Sequence, residues 1–305
     1  MKRFLQLGLL STVLALPVVG LAVTHPRPRV VATLPDLWTL TRSVTGGALD
    51  VEVVAPFGRN PHDMEIRPSQ ILLVKRASIL TRNGIGEDDW IDPIVQGSGN
   101  PKLLRGSRNV IEAGHGIQIL KPPSGPIDRS LGDVHPLGNP HYNLDPANVS
   151  LTTANIAGGL SRVMPDLART FEVNRLEFLQ RVAAANRRWK TTLAPYRGAE
   201  IVSFHDSFPY FYRAFGLEDG GIIEDRPGVP PSPQHLAALI RQMKDEKARV
   251  ILLETWFPPD AANLVARETG AQVVVVPSYP GAVKGTEDYI PFIDYLVNAV
   301  TKALG

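Results

Sequence analysis

The sequence predicts an α/β chain of two parallel-sheet βα lobes joined by one long interdomain helix. Three observations carry that expectation. Short β-branched runs alternate with amphipathic stretches in both halves of the chain, which is the rhythm of βα units around a parallel sheet. Between the halves, Leu167, Phe171, Phe178, Val182, Ala185, Trp189 and Leu193 recur at helical spacing. A helix over 166–193 would be roughly 40 Å long at about 1.5 Å per residue, a stiff spine rather than a flexible linker. Finally, 305 residues, 44% of them hydrophobic, are enough for two cores.

The elements follow in order. A β-branched run at 29–33 leads into a helical pattern over 36–44, and 50–54 is a second strand. Pro68-Ser69 opens a helix to about 77, 78–81 is a third strand, Asp88 or Asp89 caps a helix to about 96, and 109–111 is a fourth strand. Residues 113–137 are rich in Gly and Pro and aperiodic, so they form a long loop of the kind that is usually functional. Gly138-Asn-Pro-His-Tyr-Asn-Leu-Asp-Pro146 ends the first half. Its Asn-Pro and Asp-Pro pairs brake the chain on either side of His141, because the residue before proline is pushed out of the α region. After the spine come strands at 200–204 and 221–223. Ser232 then serves as N-cap, with Pro233 first in a helix to about 247. A strand at 249–253, a helix over 259–269 closed by Gly270, a last strand at 272–276 and a helix over 288–304 complete the chain.

The expected organisation is a signal peptide over 1–22, an N-terminal α/β lobe over 23–145, a linking segment with the spine helix over 146–194 and a C-terminal lobe over 195–305. Lys2 and Arg3 precede an apolar stretch that ends in Gly20-Leu-Ala22, which reads as a cleaved secretory signal. Cleavage would remove two of 32 basic side chains and so match them to the 30 acidic ones; no basic excess points to nucleic acid or an anionic membrane. The absence of cysteine excludes disulfides, thiolate metal sites and a lipid-modified cysteine after the signal. A free periplasmic protein is the simplest destination.

In open parallel sheets, ligands bind beyond the carboxyl ends of the strands. His205 follows the 200–204 strand and His62 lies on the loop leaving 50–54. Glu254 ends the 249–253 strand, and Glu287-Asp288 lies in the loop after the last one. A lone histidine in such a place is more often a loop or capping residue. Three of them, with His141, suit one metal ion in a cleft between the lobes. Three imidazoles and a carboxylate are what Zn2+ takes. Asp63 and Asp206 are N-caps or orient the ligand rings. His115 and His135, in the irregular loop, are expected to be solvated, with transient capture of metal as the alternative, and His25 and His235 to play no part.

These residues carry a resemblance. Val30-Val-Ala-Thr-Leu-Pro35, Pro61-His-Asp-Met-Glu-Ile-Arg-Pro-Ser69 and Asn83-Gly-Ile-Gly86 are its first part. Asn139-Pro-His-Tyr-Asn-Leu-Asp-Pro146, Phe204-His-Asp-Ser-Phe-Pro-Tyr210 and Asp288-Tyr289 complete it. Together they resemble the metal-binding solute-binding proteins of zinc and manganese ABC importers, over nearly the whole chain. The resemblance implies two lobes on one rigid helix and a metal ion as cargo. It also implies an inner-membrane ABC permease as partner, a monomer, and His62, His141 and His205 as ligands with a carboxylate from the last loop. Asn143 stands where the family commonly has Trp, and the His-rich acidic loop of many zinc members is missing. The family's last ligand is an Asp two residues before a Tyr. Here that slot holds Glu287, so Glu287 and Asp288 both stand as fourth ligands, with Asp288 favoured.

The expectation is therefore a periplasmic protein that captures Zn2+ and catalyses nothing. A manganese-binding transport protein, a secreted zinc hydrolase and an adhesin with a structural metal are the rivals. A hydrolase would keep one zinc position for water. It would also need a base, for which only Glu254 or Glu287 stands ready, and no His-Glu-x-x-His is present.

Overall fold

Among the described residues, eight strands make two four-stranded parallel sheets of matching topology. The computed structural model describes residues 28–123 and 135–305. In the first sheet, β1 (Arg29–Ala32), β2 (Asp50–Val53), β3 (Ile79–Arg82) and β4 (Val110–Glu112) are ordered β2-β1-β3-β4. In the second, β5 (Glu200–Ser203), β6 (Glu218–Ile222), β7 (Val250–Glu254) and β8 (Gln272–Val276) are ordered β6-β5-β7-β8. Every pairing is parallel, for example Val31 opposite Glu52 and Leu252 opposite Val274.

Both sheets are covered on two faces, which is why their central strands read as unbroken apolar runs. Alternate side chains leave a strand on opposite sides. Val30 and Ala32 of β1 join a core shared with the second lobe, whereas Val31 joins one closed by α2 (Pro68–Arg76) and α3 (Ile91–Ser98). In β7, Val250 and Leu252 face the shared core, while Ile251 and Leu253 face α7 (Pro233–Glu246) and α8 (Asp260–Thr269). The shared core holds α1 (Pro35–Thr45), α4 (Val149–Val163), α5 (Ala168–Leu193), α6 (Pro209–Phe215) and α9 (Tyr289–Leu304).

The spine is α5. It buries Phe171, Phe178, Val182, Ala185, Trp189 and Leu193 along one stripe. It is tied to both lobes: Asn174 Nδ2 donates to Val44 O at the end of α1, and Trp189 Nε1 donates to Asp294 Oδ1 on α9 at 2.6 Å. Such a bolt resists wide hinge opening.

Most elements fall within two residues of their expected places. Three differ for physical reasons. Residues 149–163 form a separate helix, α4, ended before Pro165 and packed on α1 and β4, so much of the expected linking segment is a layer of the first lobe. Strand β6 begins at Glu218 rather than Gly221, because an edge strand with solvent on one side carries acidic residues. In the 113–137 loop, Leu120 bridges Asn139 and its N–H donates to Tyr210 Oη at 3.0 Å. The expected signal peptide, His25 and the middle of that loop lie outside the described residues.

Candidate metal centre

His62 lies in a single 3-10 turn, Pro61–Asp63, that Asn60 caps by accepting from His62 N–H. His141 ends the loop before a second such turn, Tyr142–Leu144; Asn139 Oδ1 accepts from its backbone N–H at 3.0 Å and stands 3.1 Å from its Nδ1. His205 follows β5, with Glu224 Oε2 2.8 Å from its Nδ1. Both contacts put the ring proton on Nδ1 and leave Nε2 to coordinate, a tautomer assigned from the hydrogen bonds. Partners of this kind fix ligand rings and raise their basicity.

The structure brings these three histidines together: one ring nitrogen of each lies within 4.8 Å of the others. His141 and His205 are buried, His62 half-buried. A fourth imidazole stands beside them. The His135 ring is 5.0 Å from that of His62, a separation like the 5.1 Å from His62 to His205 and the 5.6 Å from His62 to His141. His135 was expected in solvent; here it shares a cavity of about 190 Å³ with Asn139, His141 and His205. The opposite mouth is a groove of about 410 Å³ running from His62 and His205 past Phe257 and Pro227.

The electrostatics separate the rings. Burial, then the charges of His205, His62 and His135, holds His141 well below the usual imidazole range. Burial also pushes His205 down, but the hydrogen bond with Glu224 and the charge of Glu254 outweigh it and leave the imidazole raised. A proton therefore competes with an ion at His205 before it does at His141.

The carboxylates fall out differently from expectation. Asp288 is not brought to the cluster. It precedes α9 with its side chain 71% exposed, 3.5 Å from Thr39 Oγ1 and 4.0 Å from Arg42. Glu287 accepts from Gly285 N–H in the same exposed turn. Glu254 is fully buried behind His205, takes the Ser207 hydroxyl at 2.6 Å and is pushed up to about 7 by burial. Asp63 takes a hydrogen bond from Asn60 and Asp206 one from Lys121. The residue that was missed is Glu87. Its Oε1 stands 3.7 Å from His141 Nε2 and 4.0 Å from His62 Nε2, with no side-chain exposure. It follows the Asn83-Gly-Ile-Gly86 motif directly, which was the available signal. Glu224 follows the predicted 221–223 strand in the same way. His115 lies apart, lining another cavity with Glu112 and Arg162, and His235 Nε2 faces Ile222 O at 2.8 Å.

Two parallel-sheet lobes on a helical spine, with buried imidazoles gathered in the cleft, define a metal-binding protein of the kind that serves ABC importers. The chain belongs to the ZnuA family, described as zinc-uptake complex component A, periplasmic, which matches residues 30–303. It is 26% identical over 293 residues to the high-affinity zinc uptake system protein ZnuA of Yersinia pestis, covering 90% of this chain and 91% of that one. A zinc-bound crystal structure of a ZnuA with residues 138–173 deleted shares the fold, at a TM-score of 0.76 and 22% identity, over 91% of this chain and 98% of that one. The solute-binding protein FpvC of Pseudomonas aeruginosa, solved with Mn2+, also matches at 0.76 and 24% identity, over 91% and 98%. Among the described residues, no helix is long and apolar enough to cross a membrane.

Proposed function

We propose that this chain is a monomeric periplasmic carrier, freed by cleavage after Ala22, that captures Zn2+ in the interdomain cleft and hands it to an inner-membrane ABC permease. It catalyses no reaction. The observation that carries this reading is the convergence of His62, His141 and His205 from three separate loops onto one point. Imidazole suits zinc, which also outranks manganese at nitrogen-containing sites. His135, with its ring 5.0 Å from that of His62, is a candidate for a further imidazole. Asp288, which the resemblance favours for that position, would have to turn inward from the surface to reach it.

The test begins with the metal content of the purified protein, before and after chelation. Single alanine replacements of His62, His141 and His205 should each cost at least about 100-fold in zinc affinity, at or above the range for the groups that merely support ligands. The circular dichroism spectrum should be unchanged. Wild-type zinc affinity in all three variants would end the proposal.

Manganese is the second reading, favoured by the fold shared with an Mn2+-bound protein. Manganese prefers carboxylate oxygen, so His205→Glu should cost zinc affinity far more than manganese affinity. A zinc-to-manganese ratio untouched by that swap would remove His205 as the residue that sets the cargo.

A further inference from the structure

The cleft holds a buried carboxylate beside the three imidazoles. Glu87 leaves the turn after β3 with its side chain fully buried. Its Oε1 stands 3.7 and 4.0 Å from the Nε2 atoms of His141 and His62. Ligand atoms about 2.0–2.1 Å from one tetrahedral ion lie roughly 3.4 Å apart. At 3.7 and 4.0 Å, Oε1 is about 0.3 and 0.6 Å beyond the spacing that two ligands of the same ion would show.

Two hydrogen bonds fix it there. Asn83 Nδ2 donates to Oε2 at 3.0 Å, and the same amide group donates to Pro140 O, next to His141. Tyr279, on the loop between β8 and α9, reaches across from the second lobe and donates its hydroxyl to Oε1. A carboxylate oxygen has two lone pairs and accepts from a hydroxyl while binding an ion.

Charge gives an independent argument. A divalent ion among neutral imidazoles buries two positive charges, and buried charge is costly unless paired. Glu87 brings a negative charge to the same buried point, whereas Asp288 spends its own at the surface beside Arg42.

We infer that Glu87 is an oxygen ligand of this centre, positioned by Tyr279 from the opposite lobe, and that it tunes the ion selectivity alongside His205. It brings three imidazoles to the four ligands that zinc accepts, and its carboxylate oxygen also makes the site serviceable for an ion that prefers oxygen, such as Mn2+. The inference rests on the reading that the three histidines hold a divalent ion.

The experiment is a competition titration with ZnCl2 and MnCl2 of the wild type, Glu87→Gln and Tyr279→Phe. Glu87→Gln keeps the shape and one acceptor oxygen but turns the other into an amide donor, so it accepts from Tyr279 or from Asn83 and not from both; Tyr279→Phe loses only a hydroxyl, so two independent variants report on the same contact. Glu87→Gln should lower manganese affinity at least about 10-fold more than zinc affinity, since carboxylate oxygen suits manganese and imidazole suits zinc. Tyr279→Phe should shift the ratio the same way by less. An unchanged ratio in both variants overturns the inference while zinc binding by the wild type leaves the three-histidine centre standing. A wild type that takes zinc but no manganese overturns it as well. If the wild type takes neither ion, the histidine centre itself falls, and this inference with it.

Discussion

Asp36 sits 1% exposed in the first turn of α1, and burial pushes its carboxyl up from 3.8 to about 7, against the backbone N–H groups of Leu37 and Asp36. The folded-state value is raised above the unfolded one. The stabilising contribution is therefore complete below about pH 4 and is lost as pH climbs through 7. Asparagine keeps the shape and cannot ionise. The stability of Asp36→Asn relative to wild type should therefore rise between pH 4 and pH 8, by up to about 4 kcal/mol at roughly 1.4 kcal/mol per unit. Urea unfolding of the metal-free protein at the two pH values measures it. A stability difference independent of pH would mean that Asp36 is ionised in the folded protein throughout. The three histidines were legible at this scale because each follows a predicted strand or sits between two proline brakes. Glu87 was not, because its meaning comes from Tyr279, 192 positions away.

Helix α4 shows how an element's packing overrides its propensity. Gly159 lies within it, where alanine would gain about 1 kcal/mol of helix propensity. A Cβ there would stand 2.5 Å from Ile111 Cγ1, 2.6 Å from Cδ1 and 3.0 Å from Cγ2, on β4. Overpacking of this kind costs about 1–3 kcal/mol. The packing term wins, and Gly159→Ala should be destabilising by about 1–2 kcal/mol in denaturant unfolding. A stabilised variant would show that α4 can slide off β4 freely. The same close packing of α4 on the first sheet is why residues 149–163 do not serve as a linker.

For the molecule as a whole, the question is how far two lobes can part when a 26-residue helix binds both. α5 packs on α1 and α4 on one side and α9 on the other. The lobes are also clasped at the cleft. Lys121, on the first lobe's loop, lies 2.6 Å from both Asp206 and Asp219 of the second. At the other edge, a Cβ on Gly281 would meet the Phe57 ring, so close is the approach of the two loops. Ion capture should therefore proceed through side chains and loops. Small-angle scattering of the zinc-free and zinc-loaded protein should give the same radius of gyration within error. A clear contraction on loading would establish a hinge motion and show that the spine does not resist it.

The sequence by itself determined the α/β class, the place of nearly every strand and helix and the spine, and it singled out the three histidines that the fold gathers. All of these are local signals: a period of two or 3.6, a proline brake, a polar residue just past a strand. The tertiary structure decided what lies next to what. It carried His135 from an irregular loop to the side of His62, left Asp288 at the surface as the residue before α9, and set Glu87 between two imidazoles under a tyrosine from the other lobe. The physical reason is that coordination depends on distances of a few ångströms between loops far apart in the chain. Periodicity fixes which way a strand's side chains point, but how loops from two sheets meet is set by the packing of both sheets against one helix.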